Sequence, residues 1–176
     1  LATSLVAAPI RVACVGDSIT YGAAIQDRVN NNYPVVLGRL LGDGYDVKNF
    51  GVNGATLLKK GDKPYWKESA FAAAKNFKPQ LVIIKLGSND SKPQNWKYKD
   101  EFTKDLIDLV RIFQLLESKN ILIELFLFHF YSPNYQTLDT SRYSVAKVPA
   151  IDTDSLNLSQ RLKEAFSSIL YPSFVK

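Results

Sequence analysis

The sequence is poor in the residues that anchor metals and disulfides, with one cysteine, Cys14, and one histidine, His129, among 176 residues. A single thiol can form no internal disulfide, and Cys14 lies in an apolar run, so a buried free thiol is expected and the redox compartment stays open. One histidine and one cysteine offer no zinc-ligand spacing, so neither a metal nor another cofactor is expected. Long hydrophobic runs are also missing: none approaches the ~20 residues that span a bilayer, and a membrane is not an expected partner. Charge of one sign is never concentrated. The 22 Lys and Arg against 17 Asp and Glu give a formal charge of +5, which can favour acidic substrates but does not mark a nucleic-acid binder. No Gly-x-x-x-x-Gly-Lys or Gly-x-Gly-x-x-Gly cradle follows the first strand-like run, which argues against a nucleotide-binding module. Internal repeats and dividing linkers are absent, so one domain is expected over residues 9–176. Ahead of it, Leu1 to Ala8 is apolar and small-residue-rich, like the end of an export signal, which implies a periplasmic or secreted protein; an ordinary frayed terminus suits the same residues equally.

What is present suits a layered core: 46% of residues are hydrophobic and 12% aromatic. Strand-like runs alternate with helical patterns. Ile10 to Val15 is apolar and β-branched and ends at Gly16. Tyr33 to Leu41 has helical spacing and closes at Gly42 to Gly44. A second strand fits Tyr45 to Phe50, and a short helix from Ser69 to Phe77 stops before Pro79. Leu81 to Leu86 reads as a buried strand, Lys99 to Lys119 as a long amphipathic helix, and Ile121 to Phe128 as a fourth strand. Tyr131 to Lys147 is polar and lacks a crossover-helix pattern before a short strand, Val148 to Ile151, and a final helix, Leu156 to Leu170. The alternation predicts an α/β sandwich around a parallel sheet with right-handed crossovers. Ligands of such sheets bind beyond the carboxyl ends of the strands, so the chemistry is sought there.

Three segments occupy those positions. Gly16-Asp17-Ser18-Ile19-Thr20-Tyr21-Gly22 follows the first strand, Asn49-Phe50-Gly51-Val52-Asn53-Gly54 closes the second, and Gly87-Ser88-Asn89-Asp90 follows the third. A serine hydroxyl, a glycine amide and an asparagine amide at one sheet edge suit acyl transfer, in which a hydroxyl attacks an ester carbonyl and N–H donors stabilise the oxyanion. Each segment alone has a plainer use: Gly54 suits a turn and Asn89 a helix cap. Their order after successive strands favours the catalytic use.

These same segments resemble the first three conserved blocks of the SGNH (GDSL-type) hydrolase family, over about Ile10 to Lys119, and within it bacterial carbohydrate acetylesterases of the sialate O-acetylesterase and acetylxylan esterase kind. The resemblance implies a three-layer α/β/α sandwich with a parallel flavodoxin-like sheet. It also implies a serine esterase acting on short acyl esters of carbohydrates, with Ser18 as nucleophile and the Ser18 amide, Gly54 and Asn89 as oxyanion hole. The family's fourth block, Asp-x-x-His, has no counterpart here, and serine is a poor nucleophile without an adjacent base. Three readings stand: an incomplete or misread order of residues after about Lys119, His129 as a substitute base at the end of the fourth strand, or an impaired homologue that binds esters or sugars. His129 equally suits a core or rim position.

Lysines and aromatics cluster after the second and third segments: Lys59, Lys60, Lys63, Tyr65, Trp66 and Lys67, then Lys92, Trp96, Lys97, Tyr98 and Lys99. Trp66 and Trp96, with Asp17, are candidates for substrate binding, since flat rings suit sugar faces and a lysine rim attracts a carboxylated sugar. Packing of both indoles onto the scaffold is the alternative.

Overall fold

The apolar, β-branched runs that lack alternation demand burial on both faces, and the chain supplies it with helices on either side of a parallel sheet. A computed structural model describes residues 8–116 in full and the strand Ile123–Leu125 by its backbone. The strands are β1 (Ile10–Gly16), β2 (Tyr45–Gly51), β3 (Leu81–Lys85) and β4 (Ile123–Leu125). They pair in parallel in the order β2-β1-β3-β4, with β1 central to the three motif-bearing strands. The helices are α1 (Ser18–Tyr21), α2 (Arg28–Asn31), α3 (Tyr33–Leu41), α4 (Ser69–Asn76), α5 (Pro93–Trp96) and α6 (Phe102–Leu116).

Side-chain alternation along the strands sorts the core into two layers. Val12, Cys14, Leu81 and Ile83 pack against Tyr33, Leu37 and Leu41 of α3. Ala13, Val15, Val82 and Ile84 face the other way, against Phe71 and Ala74 of α4 and Leu106, Leu109 and Phe113 of α6. The result is the three-layer α/β/α sandwich with a flavodoxin-like strand order. Cys14 is a buried free thiol, and burial pushes it up to about 12, so it is chemically quiet. Helix α3 forms where expected because Asn32 caps it, its side chain accepting the Val35 N–H at 3.2 Å, and Gly42 with φ +79° ends it.

The expected long helix from Lys99 differs at its start. Lys99–Glu101 is a 3-10 turn that passes into α6 at Phe102. In the first turn of α6, Asp105 faces inward among the apolar positions and accepts the Lys59 N–H at 2.8 Å. Polar α2 and α5, each four residues long, carry too little periodicity to announce themselves. Residues 1–7, the end of the long helix, Tyr131 to Lys147, Val148 to Ile151 and Leu156 to Leu170 lie outside the described residues, as does His129.

Candidate active site

The turn after β1 is held by close backbone contact. Gly16 lies in register with Gly51 on one side and Lys85 on the other. A Cβ on Gly16 would stand 2.0 Å from Thr20 Oγ1 and 2.6 Å from the Lys85 carbonyl oxygen, and one on Gly51 would stand 2.2 Å from the Tyr21 nitrogen. Only glycine allows α1 to fold back so tightly over the strand ends. The Asp17 N–H donates to the Lys85 carbonyl at 3.1 Å, and the Asp17 carboxylate accepts the Ile19 N–H at 2.9 Å. Asp17 therefore caps α1, and Ser18 opens it, partly exposed beyond the end of β1. Because the Gly51 clash would be with backbone, Gly51→Ala is expected to destabilise by about 3 kcal/mol or more, read as a lowered urea midpoint. A midpoint equal to that of the parent would show that the loop yields.

The second loop is tied to the first by Asn49. Its amide donates to the Thr20 carbonyl at 2.7 Å and to Asn32 Oδ1 at 3.0 Å, while its oxygen accepts the Gly51 N–H at 2.8 Å. The Val52 N–H continues the ladder to the Gly16 carbonyl at 2.9 Å. A tight turn follows, closed by the Ala55 N–H on the Val52 carbonyl at 3.1 Å, with Gly54 at φ +78°. That angle belongs to the third position of a type II turn, where glycine carries no steric penalty. Among the described residues, no hydrogen bond takes up the backbone N–H of Ser18 or of Gly54.

The third loop is locked to the second by two buried side chains. Asn89 donates from Nδ2 to the Ala55 carbonyl at 3.1 Å, so its amide is anchored beside the Gly54 turn rather than capping a helix, and an amide nitrogen still has a second hydrogen to give. Asp90 accepts the N–H groups of Leu57 at 3.0 Å and Leu58 at 2.6 Å. Burial raises the Asp90 carboxyl, the Leu58 and Leu57 bonds pull it down, and the nearby Asp17 adds to the rise. Asn95 reinforces the loop, donating to the Asn89 carbonyl at 2.9 Å and to Asp62 at 3.0 Å. Asn49, Asp90 and Asn95 escape a reading by chemistry because they touch backbone. Their signal in the sequence is a polar group at a strand end or in a loop beside the motif.

The remaining candidates divide. Asp17 is fully buried, with one carboxylate oxygen on the Ile19 N–H, so it offers no surface to a sugar. Trp66 donates from Nε1 to the Leu57 carbonyl at 2.6 Å, meets Phe71 edge-on at 5.5 Å between ring centroids, and carries Lys59 Nζ at 4.4 Å from its ring centre. Trp96 packs edge-on against Phe102 at 6.2 Å. Lys59 spends its charge on Asp108 at 2.5 Å and Asp105 at 3.4 Å, and the Asp108 bond raises its ammonium above the usual lysine range. Lys60 pairs with Glu101 at 2.6 Å, and Lys63 donates to the Asn53 carbonyl at 2.9 Å. Trp66→Ala is accordingly expected to cost about 3 kcal/mol of stability and to change KM for a sugar ester by less than twofold. A tenfold rise in KM at unchanged stability would instead make Trp66 a ligand surface.

Comparison with known proteins bears on this arrangement. Residues 14–164 match the GDSL-like Lipase/Acylhydrolase family. An acetylxylan esterase from Xylanibacter ruminicola is 55% identical over 102 residues, which are 58% of this chain and 21% of that protein, so the chain spans about a fifth of that relative's length. Among solved structures, an assigned arylesterase from Agrobacterium tumefaciens str. C58 superposes with a TM-score of 0.51 at 18% identity, covering 90% of this chain and 79% of that one. A family two carbohydrate esterase from Clostridium thermocellum, in complex with cellohexaose, gives 0.50 at 16% identity, covering 98% of this chain and 55% of that one. The structural likenesses bear on the fold alone. The family match takes in all three motif-bearing loops and runs on past Lys119, and on that match the chain belongs to the GDSL-like lipase/acylhydrolase family.

Proposed function

We propose that the chain is a serine esterase that hydrolyses short acyl esters, acetyl above all, on carbohydrates, through an acyl-enzyme on Ser18. The observation that carries this reading is the locking of three loops at one edge of the sheet. They present the Ser18 hydroxyl, the unengaged Ser18 and Gly54 N–H groups, and the anchored Asn89 amide from neighbouring parallel strands. Ser18 Oγ attacks the ester carbonyl carbon, and the three donors take the negative charge that develops on its oxygen. The bond to the alcohol oxygen then breaks, and the sugar leaves with a proton. Water repeats the attack on the acyl-enzyme, releasing acetate and restoring the Ser18 hydroxyl. Donors fixed before the reaction are effective because they need no reorganisation as the charge appears. The acceptor of the Ser18 proton is assigned to none of the described residues. His129 is the one imidazole of the sequence and lies outside them.

Carbohydrate esters are favoured over other short esters by the 55% identity to a protein that is itself an acetylxylan esterase. The test is acetate release by the purified chain from acetylated xylo-oligosaccharides, beside p-nitrophenyl acetate and its longer-chain analogues. Turnover that falls with acyl length is expected. Sugar-ester binding without acetate release would favour the impaired, binding homologue instead, and neither binding nor release would remove both readings.

A further inference from the structure

The peptide that joins Asn53 to Gly54 has one end held and the other open. Its carbonyl, on Asn53, accepts a bond from Lys63 Nζ at 2.9 Å, while no hydrogen bond among the described residues takes up its N–H, on Gly54. In a trans peptide the two groups point in opposite directions, so whatever fixes the carbonyl also fixes the N–H. The Lys63 stem lies along the same turn, with its Cδ 3.7 Å from where a Cβ on Gly54 would stand.

The turn by itself does not set that direction. The Ala55 N–H closes it on the Val52 carbonyl at 3.1 Å, and the same closing bond serves type I and type II turns. The two types differ in the middle peptide, which makes a near half-turn as ψ at the second position and φ at the third change by about 150° and 170°. Most residues at the third position would decide between them, but glycine takes either sign of φ with little preference. At the observed φ of +78° the Asn53 carbonyl meets Lys63 and the Gly54 N–H faces the other way. The flipped turn would put a carbonyl oxygen where the N–H had been.

Lys63 is itself held from behind. Its carbonyl accepts the Thr56 N–H at 2.9 Å, just past Gly54. Asp62, directly before it, is bracketed by the buried Asn95: the Asp62 N–H donates to Asn95 Oδ1 at 2.8 Å, and Asn95 Nδ2 donates to Asp62 Oδ1 at 3.0 Å. The same Nδ2 donates to the Asn89 carbonyl at 2.9 Å. The backbone that carries Lys63 is thus tied to the segments of both the Gly54 and the Asn89 donors.

We propose that Lys63 is a positioning residue for the oxyanion site: its ammonium, on the Asn53 carbonyl, holds the Asn53–Gly54 peptide in the orientation that presents the Gly54 N–H. A charged donor on the carbonyl also polarises the peptide and strengthens the bond its N–H can give. The catalytic consequence rests on the reading of Ser18, Gly54 and Asn89 as one acyl-transfer site, whereas the hold on the peptide does not.

Lys63→Met keeps an unbranched stem and removes the donor, and Lys63→Arg keeps a donor. Both are compared with the parent for kcat and KM on p-nitrophenyl acetate, a neutral ester with no charge for a lysine to bind. The urea midpoint and the ¹⁵N amide resonance of Gly54, which senses a bond on the carbonyl of its own peptide, are measured alongside. Lys63→Met is expected to lower kcat by about tenfold with KM within about twofold, to move the Gly54 resonance, and to keep the midpoint, because the side chain is exposed. Lys63→Arg should recover most of kcat and leave the Gly54 resonance near its parent position. A Gly54 resonance unmoved in Lys63→Met, or an unchanged kcat in that variant of an active parent, would overturn the proposal. So would a rise in KM at constant kcat, which would make Lys63 a substrate contact, or a Lys63→Met chain that fails to fold, which would make the side chain structural. A parent chain without ester turnover sinks the esterase reading, while the Gly54 resonance still decides whether Lys63 sets the peptide.

Discussion

Ser18→Ala is expected to reduce acetate release by about 10⁴- to 10⁶-fold while leaving the urea midpoint within about 0.5 kcal/mol of the parent. The asymmetry follows from the position of the residue. Its side chain stands partly exposed at the start of α1, the cap on that helix belongs to Asp17, and the turn is closed by glycines and backbone bonds that alanine leaves intact. Among the described residues no hydrogen bond uses the hydroxyl, whereas the proposed acyl-enzyme forms on it. Residual hydrolysis from the oxyanion donors alone would remain small but measurable. Turnover equal to the parent's, in a chain of verified mass, would remove Ser18 from the mechanism. Activity lost together with the fold would point instead to the turn.

Asn89→Ala should lower kcat by about 10²- to 10³-fold, the usual consequence of losing one preorganised oxyanion donor, with a much smaller change in KM. In the proposed mechanism the donor acts mainly on charge that exists only after Ser18 attacks, so binding of the neutral ester should barely sense it. A second loss is separate: the Ala55 carbonyl forfeits the bond it receives from Asn89 Nδ2, at about 1–3 kcal/mol of stability. Measuring kcat well below the unfolding transition distinguishes the two. An unchanged kcat with a lowered midpoint would make Asn89 a loop anchor and nothing more.

Strand and helix cores were legible from residue pattern because burial on both faces of a parallel sheet writes itself as short apolar runs. Ile10–Gly16, Tyr45–Gly51 and Leu81–Lys85 lie within a residue of their expected limits. The short helices α2 and α5 were not legible, since four residues hold barely one turn. Of the candidate site, Ser18, Gly54 and Asn89 stood out because their positions follow the strands in order. The tie of Asn49 to Thr20, and of Asp90 to Leu57 and Leu58, spans 29 to 33 residues of chain, and local pattern carries no trace of such partners.

Asp17 and Trp66 mark the boundary between the two kinds of information. By itself the sequence determined the layered α/β class, the family, and the three loops in which chemistry is to be sought, because apolar period and motif order are properties of neighbours along the chain. Whether a charged or aromatic side chain faces solvent, substrate or the protein's own backbone was decided only by tertiary structure. Asp17 was a candidate sugar contact by sequence, and its burial and its cap on α1 turn it to the protein's own structure. Trp66 suited a sugar face and the scaffold equally by sequence, and only the tertiary structure brings Leu57, Phe71 and Lys59 against it. The physical reason is that burial and pairing are set by residues distant in the chain, and these set the energy of a charge or a polar atom more strongly than its own identity does.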